Sequence, residues 1–227
     1  MKIYPEAFEV IKELGDKFKS GEFEGRVADN GINLALLASM VANTGDGNHI
    51  EIGTLFGASA ITVGLMKRKL GLKGDLYLID PFDEDARKKD IRLTNKNGQE
   101  GDQSLLVATP EQLENNMALF DLEYTLVQEY SDPWPEQLND LTFATAYVDG
   151  DHLHDTPYKD YLNLRGRVES YIGFDNYEEG YPDVMGGVNK AISEGEDWVL
   201  FYKNSTFAVL RRRLPGRGIG NSPITAL

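Results

Sequence analysis

The stretch His49-Ile50-Glu51-Ile52-Gly53-Thr54-Leu55-Phe56-Gly57-Ala58-Ser59 decides the fold. His49–Ile52 reads as a short strand, Gly53 and Gly57 punctuate a turn, and Ala60–Lys69 reads as a helix that ends before Gly74. A strand passing through a glycine turn into a helix is the opening unit of a parallel α/β sheet. The alternation continues toward the C-terminus. Asp75–Asp80 is a second strand ending in an acid, and Thr109-Pro110-Glu111 opens a capped helix running to Phe120. Tyr124–Gln128, Ala144–Val148 and Val168–Phe174 are further strands, and Val184–Ser193 is a helix. Trp198–Lys203 and Phe207–Arg212 form a hairpin over Asn204-Ser205. Toward the N-terminus, a helix starts at Pro5 with Phe8, Ile11, Leu14 and Phe18 at helical spacing. A second runs from Ile32 to Ala42, with Asn30 as its cap and Gly45 just past its end. The expectation is an α/β fold: a mostly parallel sheet with helices on both faces and a C-terminal antiparallel hairpin.

One domain over 1–227 accommodates all of this. The N-terminal helices occupy 1–45, residues 83–108 form a polar insertion or lid, and 213–227 form an irregular tail. The 227 residues carry 23 Lys+Arg against 37 Asp+Glu, a net charge of −14. That balance argues against nucleic acid or an anionic membrane as partner. The absence of cysteine removes disulfides, thiolate metal sites and thiol nucleophiles. The charged amino terminus lacks a signal core, and no apolar run is long enough to span a bilayer. A cytoplasmic protein is the expectation.

Ligands of such sheets bind beyond the carboxyl ends of the strands. Those ends carry Glu51 with its glycine loop, Asp80, Ser131, Asp149 and Asp175-Asn176. Glycine permits a sharp turn and close approach of a ligand to the backbone. The loop is neither G-x-G-x-x-G nor a P-loop, which weighs against pyrophosphate cofactors and a nicotinamide dehydrogenase. Asp80, at the end of the second strand, suits the two hydroxyls of a ribose, or else a turn. Asp149 and Asp175-Asn176 end neighbouring strands and offer three oxygen ligands to a hard ion such as Mg²⁺, or else cap turns.

The elements Glu51-Ile52-Gly53…Gly57, Leu78-Ile79-Asp80, Val148-Asp149-Gly150-Asp151-His152 and Phe174-Asp175-Asn176-Tyr177 resemble the class I S-adenosylmethionine-dependent methyltransferases. The likeness is greatest to the small O-methyltransferases of the catechol and macrocin type, over about Gly31–Arg212. The resemblance implies a Rossmann-like, seven-stranded sheet whose last two strands are the hairpin. It implies that Glu51, Gly53 and Gly57 border the methionine part of S-adenosylmethionine, with Thr54 and Ser59 also in the cofactor-binding set, that Asp80 holds the ribose, and that Ser131 meets the adenine end. Asp149 stands in both the cofactor set and the metal triad Asp149, Asp175 and Asn176. His152, or Asp151 as in the macrocin-type relatives, is the implied base. The expected activity is methyl transfer to a small-molecule hydroxyl assisted by Mg²⁺ or another hard divalent ion. The alternatives are a metal-independent methyltransferase and a non-catalytic adenosyl-binding protein. The N-terminal helices are reasonable elements for a homodimer.

Overall fold

The middle of the sheet is the parallel pair β1 (His49–Ile52) and β4 (Phe143–Val148), buried at every residue. Strands covered on both faces need not alternate in polarity, which is why FATAYV reads as one apolar run. In this computed structural model, residues 1–27, 31–84, 108–194 and 197–213 are described. The expected Asn30 cap, nearly all of the 83–108 insertion and the tail from 214 onward lie outside them. β2 (Leu76–Ile79) and β3 (Thr125–Val127) lie on one side of β1. β5 (Val168–Asp175) flanks β4, followed by β7 (Phe207–Arg212) and the edge strand β6 (Trp198–Lys203). The order is β3-β2-β1-β4-β5-β7-β6, with β7 antiparallel to both neighbours. The chain winds outward from β1, then restarts at β4 in the opposite direction. The carboxyl ends of β1 and β4 therefore mark the switch point at which such sheets bind ligands.

Two apolar layers sandwich the sheet. Helices α1 (Pro5–Lys19), α2 (Gly31–Thr44), α3 (Ala58–Leu70) and α4 (Pro110–Leu119) supply one; α5 (Thr156–Leu164) and α6 (Pro182–Glu194) supply the other. Successive strand residues feed opposite layers, as the two-residue period demands. Phe207 and Val209 of β7 join the first layer, and Ala208 and Leu210 join the second. The same alternation sends Ile50 and Ile52 into the second layer, leaving His49 and Glu51 buried on the opposite face of β1.

α2 is buried from Asn33 to Val41, in keeping with its uniformly apolar sequence. α1 differs from its sequence period. Its buried stripe is Ala7, Val10 and Leu14, while Phe8 and Phe18 are exposed. α5 is a helix with no counterpart in the sequence reading. It buries Pro157, Asp160, Tyr161 and Leu164 at helical spacing, but a proline and an acid in that stripe conceal the period. Asn204 builds the hairpin turn, its Oδ1 accepting from the N–H groups of Thr206 and Phe207 at 2.8 and 2.7 Å. Among the described residues no helix is long and apolar enough to cross a membrane.

Candidate active site at the sheet switch point

The loop after β1 is built on left-handed glycines. Gly53 has φ 83° and donates its N–H to Ile79 O at 2.8 Å, anchoring the loop to the end of β2. A Cβ at this position would overlap the Asp149 carbonyl oxygen and stand 2.6 Å from Gly150 Cα. Close approach is thus required, but the approaching group is the chain itself, where the β1 and β4 loops cross. Gly57, φ 84°, is the N-cap of α3 and makes no side-chain cap bond. The first turn of α3 therefore gains no side-chain oxygen from its cap residue.

Glu51 is completely buried at the end of β1. Its Oε1 accepts from Ser59 Oγ at 2.6 Å, and its Oε2 is buried without a partner. Burial, with the charges of Asp149 and Asp80 adding to it, pushes this carboxyl up to about 8, against the restraint of the Ser59 hydrogen bond. Asp80, at the end of β2, is nearly buried. Its Oδ2 accepts from Thr54 N and Leu55 N at 3.0 and 2.9 Å, and its Oδ1 from Phe82 N at 2.8 Å. It therefore ties the glycine loop to β2. A carboxylate has about four acceptor positions, so these three bonds leave capacity for one hydroxyl.

Val148 and Phe174 are register partners in β4 and β5, which sets Asp149 and Asp175 beside each other at the strand tips. His152 Nε2 lies 3.3 Å from Asp149 Oδ1, and the His152 ring meets Tyr181 edge-on with centroids 5.0 Å apart. Burial first, and the Asp149 charge second, push Asp175 up to about 7; the nearby His152 opposes both. Asn176 follows with φ 54°, a conformation that asparagine tolerates better than most residues. Asp151 turns away to the start of α5: its Oδ1 accepts from Leu153 N at 3.0 Å and its Oδ2 from Thr156 Oγ1 at 3.1 Å. The structure thus brings His152 to Asp149 and engages Asp151 in the loop. Among the described residues, no group of three or more His, Asp and Glu is placed to hold a metal ion. The Asp149–Asp175–Asn176 set has two acids and an amide.

Two polar residues absent from the sequence reading join this rim. Asn33, in the first turn of α2, donates from Nδ2 to Asp175 Oδ1 at 3.1 Å and to Thr206 Oγ1 at 3.0 Å; its Oδ1 accepts from Asn204 Nδ2 at 3.1 Å. An asparagine in the first turn of an apolar helix was the only sequence signal for it. Asp160, in α5, accepts from Ser131 Oγ at 2.6 Å, while Asn163 Nδ2 donates to Ser131 O at 2.8 Å. Burial pushes Asp160 up to about 7, against the pull of that Ser131 bond.

This arrangement bears comparison with known proteins. No curated protein matches the chain in sequence. Among solved structures, the O-methyltransferase NovP superposes with a TM-score of 0.68 at 18% identity, over 91% of this chain and 97% of that one. An O-methyltransferase from Bacillus cereus, solved with SAH, gives 0.57 at 15% identity over 90% and 91%. TomG from Streptomyces achromogenes, an O-methyltransferase involved in tomaymycin synthesis and solved with SAM, gives 0.56 at 14% over 90% and 89%. A family model described as a methyltransferase domain matches residues 50–177, which run from β1 through the Asp149 loop to the residue after Asn176. With more than half its length inside that match, the chain belongs to the methyltransferase-domain family and has the class I S-adenosylmethionine-dependent methyltransferase fold.

Proposed function

We propose that the protein is an O-methyltransferase that moves the methyl group of S-adenosylmethionine to a hydroxyl of a small molecule, with a divalent ion at Asp149, Asp175 and Asn176. The observation that carries this reading is the meeting of Asp149, Asp175 and His152 at the paired tips of β4 and β5, across the switch point from Glu51 and Asp80.

The donor fits the residues present. Glu51 Oε2 is a sealed acceptor without a partner, suited to an ammonium group, and the first turn of α3 suits a carboxylate. Glu51, Gly53, Thr54, Gly57 and Ser59 would hold the amino-acid end, Asp80 the ribose and Ser131 the adenine. A divalent ion also fits. The raised proton affinity of Asp175, buried beside the Asp149 charge, is relieved by positive charge, and an all-oxygen donor set selects a hard ion. When bound, the donor supplies an electrophilic methyl on its sulfonium, and the ion makes an acceptor hydroxyl more acidic.

The chain's own residues then do three things. With its proton on Nε2, His152 would donate to Asp149 Oδ1, 3.3 Å away, and carry the basic lone pair of the ring on Nδ1. His152 takes the hydroxyl proton as the O–C bond forms and the S–C bond breaks. Asn33 holds Asp175 in place, and the crossing of Gly53 with Asp149–Gly150 fixes the distance between the donor and acceptor halves.

A metal-independent reading rests on a specific feature, the Asp149–His152 pair, which can orient a base without an ion. Calorimetric titration with S-adenosylhomocysteine tests donor binding. Methyl transfer to a panel of small hydroxyl compounds, with Mg²⁺ or after chelation, tests the rest. Saturable binding and chelator-sensitive transfer are expected. Transfer unaffected by chelation selects the metal-independent reading. Binding with no transfer in any condition selects an adenosyl-binding protein, and no binding at all defeats the donor assignment.

A further inference from the structure

Asp160 is completely buried, whereas Ser131 keeps 9% of its surface. Asp160 accepts the Ser131 hydroxyl hydrogen on Oδ1 at 2.6 Å, and its other oxygen, Oδ2, is buried without a partner. A carboxylate sealed in an apolar layer and carrying one hydrogen bond is a costly way to satisfy one serine. An apolar pair would serve packing better. Asp160 sits in the stripe of α5 that also buries Pro157, Tyr161 and Leu164, so nothing in the helix itself calls for an acid there.

A serine hydroxyl has one hydrogen and two lone pairs. Once the hydrogen is committed to Asp160, the outward side of Ser131 Oγ can only accept. Asn163 Nδ2 holds the Ser131 carbonyl from the same helix, which fixes the backbone that carries the hydroxyl beside Asp160. Ser131 follows β3, the strand that pairs with β2, whose tip carries Asp80. On the reading in which Asp80 takes the ribose, Ser131 stands toward the base.

We infer that Asp160 is a positioning residue that makes Ser131 an obligate hydrogen-bond acceptor, so that the site selects a purine bearing a 6-amino group over one bearing a 6-oxo group. This rests on the proposed donor site and adds to it the means by which the base is read. An amino group donates to the serine oxygen. A 6-oxo group sets two acceptors against each other, leaving both unpaired.

The test compares S-adenosylhomocysteine with S-inosylhomocysteine by calorimetric titration in the unaltered protein and in Asp160→Asn, Asp160→Ala and Ser131→Ala. The unaltered protein should prefer the adenine compound by about tenfold or more, the ratio that one hydrogen bond supplies. In Asp160→Asn, which preserves volume, the amide can donate to Ser131 Oγ and free the hydroxyl hydrogen, so the preference should fall toward unity. Thermal unfolding identifies Asp160→Ala as folded or not, and Asp160→Asn carries the test if it is not. A merely structural Asp160 would lower stability or both affinities together and leave the ratio alone; an unchanged ratio in Asp160→Asn overturns the inference. If the ratio survives in Ser131→Ala as well, the serine does not read the base, which is equally fatal. Failure of the unaltered protein to bind either compound defeats the donor site itself, and this inference with it.

Discussion

Replacing Gly53 with alanine separates two costs that glycines usually combine. Gly45, Gly53 and Gly57 have nearly the same backbone, with φ of 90°, 83° and 84°. An alanine in this left-handed region costs about 1–2 kcal/mol wherever it sits. The surroundings differ. A Cβ at Gly45 meets nothing within 4 Å; at Gly57 it meets Leu113 Cδ1 at 2.7 Å, the end of a side chain that can rotate. At Gly53 it meets backbone, with Gly150 Cα at 2.6 Å. Neither strand of that crossing can retreat freely, because Gly53 N is bonded to Ile79 O and Asp149 N to Ile52 O, each at 2.8 Å. Overpacking adds about 1–3 kcal/mol and a weakened backbone bond about 1 kcal/mol. Gly45→Ala should therefore cost about 1–2 kcal/mol and Gly53→Ala about 3–6 kcal/mol, with Gly57→Ala between them. For a chain of this size each kcal/mol lowers Tm by about 2–4 °C. Thermal and urea unfolding of the three variants should show the order, and Gly53→Ala should also weaken S-adenosylhomocysteine binding by moving Asp149. Equal losses in Gly45→Ala and Gly53→Ala would refute the claim that the β1 and β4 loops are pressed together at this glycine.

The buried titratable groups on the two sides of the stability curve can be separated by substitution. Burial, aided by Lys67, lowers His49 to about 3, so the unfolded chain binds its proton more tightly than the folded one. Stability is full above the ordinary value near 6.5 and is lost as pH falls toward 3; His49→Gln should flatten that acid limb in urea midpoints taken between pH 4 and 7. Glu51 has the opposite sign. Raised to about 8, its carboxyl keeps a proton in the fold that the unfolded chain releases, so stability is full below about 4.5 and drains as pH climbs to 8. Glu51→Gln should therefore lose less stability than the unaltered protein between pH 5 and 8, and an identical slope would show that Glu51 is ionised throughout. Asn33→Ala removes the donor to Asp175 Oδ1 and, if the proposed ion site is right, should weaken Mn²⁺ binding about tenfold or more, read by calorimetry; unchanged affinity would remove Asp175 from that proposed site.

The sheet was legible because its strands are short apolar runs bounded by glycine and acid, and because each strand ends where its register partner ends. Ile52 pairs with both Ile79 and Val148, so Asp80 and Asp149 fall on one rim for the same reason that they follow apolar residues in the sequence. What the sequence hides are the residues whose partners come from another element. Asp160 interrupts the apolar stripe of α5 and so erased the helix along with its link to Ser131; Asn33 looks like an ordinary polar residue until α2 is laid beside the β6–β7 turn. The glycine loop lies between these cases. Spacing shows that Gly53 must adopt a conformation other residues avoid, because the demand on φ is local. It does not show what presses on the residue. The glycine suggested a ligand against the backbone, and the structure puts the Asp149–Gly150 backbone there instead, with Asp80 clamping Thr54 and Leu55 from the other side. The donor half and the acceptor half of the candidate site are thus joined through main-chain contacts at one residue. A side-chain substitution at the rim should consequently change one half at a time, whereas a substitution at Gly53 should change both together.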